Sequence, residues 1–239
     1  MNFHYANLDT CPDATGLVVI VDVIRAFTTA AFAFSRGAVK IIPVSTIEEA
    51  LELKRSIPGS MVCGENKGLP PEGFDFGNSP TQVMKLDLRG RTLIQRTSAG
   101  TQGIVRSVKA ETMLAASFVV AAATVRYVQK LAPRNVTFVV TGQTYGGGDE
   151  DLACAQYLEA CLGGRSPHAE MGRKRVQYTV AAPYLERVQD SPDARIFYDP
   201  GQPDFQESDI MYATDIDRFD FAMLVRKEKG RQMLEKAYL

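Results

Sequence analysis

Histidine is nearly missing from this chain: His4 and His168 are the two examples in 239 residues. A histidine-phosphatase centre and a zinc cluster are thereby excluded, and so is a serine-hydrolase triad, for which the GxSxG elbow is also absent. Cys11, Cys63, Cys154 and Cys161 show no CxxC spacing, and none is followed six positions later by arginine. The cysteine-phosphate loop is ruled out, and the four are expected to be reduced, mostly buried thiols, because a chain this long needs no disulfides. A charge of one sign is lacking too, since 27 Lys and Arg stand against 28 Asp and Glu, a formal net charge of -1. No field attracts a polyanion, so nucleic acid is not an expected partner. No apolar run reaches membrane-spanning length, and Met1-Asn2-Phe3-His4-Tyr5-Ala6 lacks the basic start of a signal peptide; a cytoplasmic protein without a membrane partner is the expectation.

Hydrophobic residues make up 45% and charged residues 23%, enough to bury a full core in one domain spanning 1–239. Apolar runs at 17–22, 39–44, 61–64, 91–95, 112–116 and 136–141 alternate with helical patterns at 26–36, 47–57, 99–108, 119–131 and 151–162. With a late run at 221–225, this βα rhythm predicts seven strands in a three-layer α/β/α fold with a mostly parallel or mixed sheet. Ser45-Thr46 before Ile47-Glu48-Glu49 marks a helix start. The polar stretch at 163–177 is expected to be a mobile loop or sub-domain seam, and Pro183, Pro192, Pro200 and Pro203 are expected to break the chain beyond it into short pieces.

The chemistry-bearing residues lie just after the apolar runs, where open α/β sheets bind ligands. Val18-Val19-Ile20-Val21-Asp22-Val23-Ile24-Arg25 delivers a carboxylate for a metal and a guanidinium for an anion to one strand-to-helix corner. Glu65 and Lys67 follow in Cys63-Gly64-Glu65-Asn66-Lys67-Gly68, adding a hard oxygen and an ammonium. In Gly73-Phe74-Asp75-Phe76-Gly77-Asn78-Ser79-Pro80, Asn78 or Ser79 caps a helix opened by Pro80, or the free amides there bind an anion. Arg96-Thr97-Ser98-Ala99-Gly100-Thr101 reads as a phosphate cradle of amides and hydroxyls, although neither a Walker A loop nor a GxGxxG fingerprint is present. Gly142-Gln143-Thr144-Tyr145-Gly146-Gly147-Gly148 leads into Asp149-Glu150-Asp151, where Glu150 and Asp151 divide evenly between favouring the helix dipole and binding a metal. Asp22-Val23-Ile24 has isoleucine where a haloacid-dehalogenase start has its second Asp, and Asp215-Ile216-Asp217 reads as a solvated turn. Several carboxylates, two arginines and many amide donors at one sheet edge suit Mg²⁺-assisted phosphoryl transfer.

Taken in order, these motifs resemble those of the 2-phosphosulfolactate phosphatase family along nearly the whole chain. Asp22-Val23-Ile24-Arg25-Ala26-Phe27-Thr28-Thr29 resembles the family's DVLRATTT-like start, and Gly64-Glu65 its GE turn. The family's GFxxGNSP stretch is matched at 73–80, its TTNGT loop resembles 97–101, and its glycine-rich run ending in an acidic pair resembles 142–151. Two positions depart: Phe27 replaces a small hydroxyl residue, and Ala99 replaces an asparagine. The resemblance implies a Mg²⁺-dependent hydrolase acting on 2-phosphosulfolactate or a related phosphorylated 2-hydroxy acid. It implies Mg²⁺ on Asp22 with Glu65, Asp151 or both, and phosphoryl oxygens held by Arg25 and the loop from Thr97 through Ser98 and Gly100 to Thr101. Lys67 or Arg96 would meet the substrate's carboxylate or sulfonate, and a homodimer is the default assembly for such an enzyme. A protein that binds the same metabolite without turning it over is the competing expectation.

Overall fold

The computed structural model describes residues 1–142, 147–164, 173–228 and 230–238, with 173–179 as backbone only. In chain order the elements are β1 (Asn2–Ala6), β2 (Gly16–Val21), α1 (Ala26–Ser35), β3 (Lys40–Val44), α2 (Ile47–Ser56), β4 (Met61–Gly64), α3 (Pro80–Val83), β5 (Thr92–Arg96) and α4 (Gly100–Arg106). They continue with β6 (Ala110–Ala116), α5 (Ala121–Leu131), β7 (Asn135–Val140), α6 (Asp149–Leu162), α7 (Arg173–Asp190), α8 (Glu207–Ala213), β8 (Ala222–Glu228) and β9 (Arg231–Ala237). The strands form one mixed sheet in the order β1-β7-β2-β6-β8-β9-β3-β5-β4. Two parallel groups, β1-β7-β2-β6 and β3-β5-β4, are joined by the antiparallel β8–β9 hairpin.

Strand β2 shows why the sheet is the middle layer. Its side chains alternate, Val18 and Ile20 packing with α1 and α4 on one face, and Leu17, Val19 and Val21 packing with α5, α6 and α7 on the other. Both faces are covered, so the run is apolar throughout. Helix α2 covers the second parallel group through Ala50 and Leu53 against Ile42, Val44, Val62 and Ile94. Helix α1 is enclosed on all sides, every residue from Ala26 to Phe34 being buried, which is what an all-round apolar helix requires.

Among the described residues nine strands stand where seven are expected from sequence, the additions being the edge strand β1 and the second arm of the hairpin, β9. Helix α7 also differs, because it is already helical at Arg173 and carries Pro183 in its interior. Proline removes one helical hydrogen bond; the contacts of Ala181, Tyr184, Leu185 and Val188 within the core hold the helix together regardless. The rest of the expected loop, 165–172, lies outside the described residues, as do Gln143, Thr144, Tyr145 and Gly146. The turn at Asp215-Ile216-Asp217 is not the solvated turn expected: Ile216 is buried in the core, Asp215 and Asp217 are half-buried, and Asp217 accepts the Ala122 amide in the first turn of α5. All four cysteines are unpaired and buried. Among the described residues no helix is long and apolar enough to cross a membrane.

Candidate active site

Each parallel strand ends where its hydrogen-bond ladder runs out, and four such ends, those of β2, β4, β5 and β7, come together. A chain of hydrogen bonds proves the convergence. Asp151 on α6 takes the Val23 amide at 2.7 Å, the Gly142 amide at 3.0 Å and the Thr141 hydroxyl at 3.2 Å. It thereby clips the corner after β2 to the corner after β7. Glu65, just past β4, accepts the Ser98 amide through Oε1, and through Oε2 the Gly68 amide at 2.7 Å and the Ser98 hydroxyl at 3.1 Å. That ties the loops after β4 and β5 into one unit.

Glycine makes the remaining approaches possible. A Cβ on Gly100 would lie 2.7 Å from Asp22 Oδ2 and 2.7 Å from the Ala26 Cβ, so only a residue without one lets the loop after β5 close on Asp22. Gly64 has φ +129°, and a Cβ there would stand 1.8 Å from the Arg96 carbonyl oxygen. Its left-handed backbone lets β4 and β5 run together up to Glu65.

The result is a cavity of about 300 Å³ lined by Asp22, Glu65, Glu150, Asp151, Arg25 and Lys67, with Ile24, Asn78, Ser98 and Ala99 beside them. Size does not single it out, because a cavity of about 360 Å³ lies under the β8–β9 hairpin. Buried charge does. Asp22 is 4% exposed, and burial with the facing Glu65 carboxylate pushes its carboxyl up to about 6, against the pull of the Ala26 and Gly100 amides and the Thr141 hydroxyl. Burial and the Asp193, Asp22 and Asp149 carboxylates push Glu150 up to about 8. Asp151 is raised well above the ordinary carboxylate value by burial, Glu150 and Asp22. Like charges gathered out of water raise one another in this way.

Among the described residues, two buried polar atoms at this cavity have no hydrogen-bond partner, Asn78 Oδ1 and Glu150 Oε2. Such orphans are costly unless a ligand completes them. Lys67, held with φ +54° at the rim, makes no hydrogen bond or ion pair among the described residues.

A family model described as 2-phosphosulpholactate phosphatase matches residues 4–228. The chain belongs to that family. The probable 2-phosphosulfolactate phosphatase of Bacillus subtilis is 32% identical over 221 residues, covering 92% of each chain. That of Carboxydothermus hydrogenoformans is 41% identical over 145 residues, 61% of this chain and 60% of its own. That of Thermotoga maritima is 42% identical over 111 residues, 46% of this chain and 48% of its own. As a member of the 2-phosphosulfolactate phosphatase family the protein is a phosphoric monoester hydrolase.

Within this phosphatase, eight of the residues singled out from sequence line the cavity: Asp22, Arg25, Glu65, Lys67, Asn78, Ser98, Glu150 and Asp151. Gly100 stands directly behind Asp22. Four others do not line it. Ser79 caps α3, accepting the Gln82 amide at 3.2 Å and donating to Asp209 at 2.8 Å. Thr97 and Thr101 bond to each other, the Thr97 amide to the Thr101 hydroxyl at 2.9 Å and the Thr101 amide to the Thr97 hydroxyl at 3.0 Å. Arg96 turns back onto the Glu65 carbonyl at 2.7 Å and the Asn66 side chain at 3.2 Å. Of the two departures from the family pattern, Phe27 is wholly buried in the core while Ala99 lines the cavity.

Sequence reasoning did not find the wall formed by Asp193, Ile196, Phe197 and Phe205. Phe197, Tyr198 and Phe205 stand among Pro192, Pro200 and Pro203. Aromatics concentrated in an otherwise irregular stretch were the available signal, since they need a surface to pack against.

Proposed function

We propose that this phosphatase hydrolyses the phosphate ester of 2-phosphosulfolactate or of a related phosphorylated 2-hydroxy acid, with Mg²⁺ as its metal. The observation that carries the metal is the charge of the cavity. Asp22, Glu65, Glu150, Asp151 and Asp193 face two cations, Arg25 and Lys67, and Arg25 is already paired with Asp209 at 2.8 Å. Burial and crowding oppose the ionisation of Asp22, Glu150 and Asp151 until a cation joins them, and a cation held there would let a doubly anionic ester enter beside these carboxyls. The unpartnered Glu150 Oε2 marks one place for such an ion to be held.

The donors are all hard oxygens, which suits Mg²⁺ rather than a softer metal. Among the described residues no three His, Cys, Asp or Glu side chains are grouped to hold a metal between them. That fits Mg²⁺, which takes one or two carboxylates and fills its shell with water and substrate phosphate. Asp22 with Glu65, Glu150 or Asp151 would hold it. Bound there, Mg²⁺ supplies charge neutralisation for the phosphoryl oxygens and the leaving oxygen.

The chain's own groups then bind and orient. Arg25 donates its free N–H groups to the phosphoryl oxygens. Lys67, unpaired at the rim, takes the second anionic group, carboxylate or sulfonate; Arg96 is engaged elsewhere. Asn78 Oδ1 is an acceptor, so a bound water or a cation would complete it rather than the anionic ester itself. Ile24, Phe197 and Phe205 present an apolar wall that excludes bulk water from one side. Water attacks rather than Asp22, because Asp22 Oδ1 holds the Ala26 amide at 2.8 Å and Ile24 stands where an aspartyl nucleophile would have its partner carboxylate. Four unpaired thiols fit a reducing compartment, the cytoplasm.

Phosphate release from a panel of 2-phospho-hydroxy acids, with Mg²⁺ and with EDTA, tests this reading. Release from 2-phosphosulfolactate or a close analogue that EDTA abolishes is expected. Thermal stabilisation by those esters with no release at high protein concentration would make the protein a binder instead.

A further inference from the structure

Asp209 is wholly buried in the first turn of α8, 184 residues along the chain from Arg25. Its Oδ2 accepts Arg25 Nη1 at 2.8 Å, while Oδ1 accepts the Ser79 hydroxyl at 2.8 Å and the Thr81 amide at 3.0 Å. Arg25 Nη2 donates to the Gly68 carbonyl at 3.1 Å. The guanidinium lies over two rings, 4.8 Å from the Phe197 centroid and 5.4 Å from that of Phe205. Both its position and its plane are therefore fixed from outside the β2 corner.

Net stability gives no reason for a charge pair here, since well-packed apolar side chains commonly do as well as a buried pair. Geometry gives one. A guanidinium has five N–H donors in a rigid fork, and Asp209 and Gly68 engage two of them. Arg25 still lines the cavity. Asp209 also cancels most of its charge, so what Arg25 offers a ligand is directed donors rather than net attraction.

We propose that Asp209 is a positioning residue that acts through Arg25, holding the guanidinium so that its remaining donors face the phosphoryl oxygens of the ester. This rests on the reading that the cavity takes a phosphate monoester. Helix α8 then belongs to the active site although none of its residues lines the cavity.

The test is a double-mutant cycle with two readouts, steady-state kinetics on 2-phosphosulfolactate and the Kd for inorganic phosphate by calorimetry, both with Mg²⁺. An asparagine has a single acceptor oxygen and cannot serve Arg25 and the Thr81 amide together. Asp209→Asn is therefore expected to raise KM and the phosphate Kd by about 10- to 100-fold, the loss of one charge-assisted bond, with kcat changed by less than about threefold. Arg25→Met should do the same, and the double variant should be no worse than Arg25→Met alone. Ser208→Ala, which breaks the 2.7 Å hydroxyl pair with Thr81, should lower Tm and leave KM and Kd as they are. Losses that multiply in the double variant, or a lower Tm for Asp209→Asn with an unchanged phosphate Kd, overturn the proposal. Should Asp209→Asn not fold, Arg25→Met is compared with the double variant: equal Kd values support the proposal and a further loss overturns it. A wild type that binds phosphate without hydrolysing the ester, and loses that binding in Asp209→Asn, leaves the proposal standing and removes the substrate. A wild type that binds no phosphate removes both.

Discussion

Replacing Asp22 by asparagine should move activity and stability in opposite directions. In the metal-free protein the Asp22 carboxyl sits at about 6 instead of 3.8, because burial and Glu65 oppose its charge. Above both values the ionised form costs about 3 kcal/mol of folding stability. Asparagine carries no charge, so that penalty disappears. It keeps an oxygen for the Ala26 amide, at 2.8 Å in the wild type, and loses the bond from the Gly100 amide, worth about 1 kcal/mol. A net gain of about 2 kcal/mol remains, which for a chain of this size raises Tm by roughly 4 to 8 °C. Turnover, in contrast, should fall at least about 100-fold, because a neutral amide no longer offsets the charge of a cation bound with the phosphate. Melting in EDTA and in saturating Mg²⁺, together with phosphate release, reads all of this. The wild type gains stability from Mg²⁺, and Asp22→Asn gains little. Near-normal turnover would show that Asp22 is not at the reacting centre. A fall in the EDTA melting temperature would show that its charge is not the burden claimed.

Gly64→Ala should lower stability by more than about 3 kcal/mol, the upper range for a core clash joined to backbone strain, because its Cβ meets the Arg96 carbonyl rather than a movable side chain; chemical denaturation measures it, and a loss below about 1 kcal/mol would contradict the β4–β5 closure. Metal-free protein should become more stable as pH falls from about 8 to about 5. Asp22 near 6, Glu150 near 8 and the raised Asp151 all bind protons more tightly folded than unfolded, so ionising them as pH rises lowers stability. Saturating Mg²⁺ should flatten the profile, and a Tm in EDTA that rises with pH across this window would reverse the sign. Lys67→Met should raise KM for a substrate with a second anionic group about tenfold while leaving the Kd for inorganic phosphate unchanged; an equal loss for both ligands would place Lys67 on the phosphate instead.

The legible parts of this chain were those whose signal is local. Val18 to Val21 announces a strand covered on both faces, Asp22, Glu65 and Ser98 follow the ends of such runs, and Asp151 lies in the first turn of a helix. Strand β9 was not legible. Gln232, Met233, Leu234, Glu235, Lys236 and Ala237 are all good helix formers. Seven paired positions along β8 make them a strand, an instruction that no six-residue window contains. Strand β1 failed to show for another reason, since as an edge strand it is largely exposed and carries no apolar run.

The same division runs through the site. By itself the sequence determined the α/β architecture, the corner that presents Asp22 and Arg25, and the family to which these motifs belong. Each depends on residue types at short spacing, where propensity, periodicity and chain connectivity act. Only tertiary structure decided which of the polar residues face the ligand. Thr97 and Thr101 satisfy each other, Ser79 caps a helix, and Arg96 turns back to hold the Glu65 carbonyl. Arg25 meets Asp209 across 184 residues of chain. A hydroxyl or a guanidinium bonds to whichever donor or acceptor the fold brings within about 3 Å, and sequence distance carries no record of that.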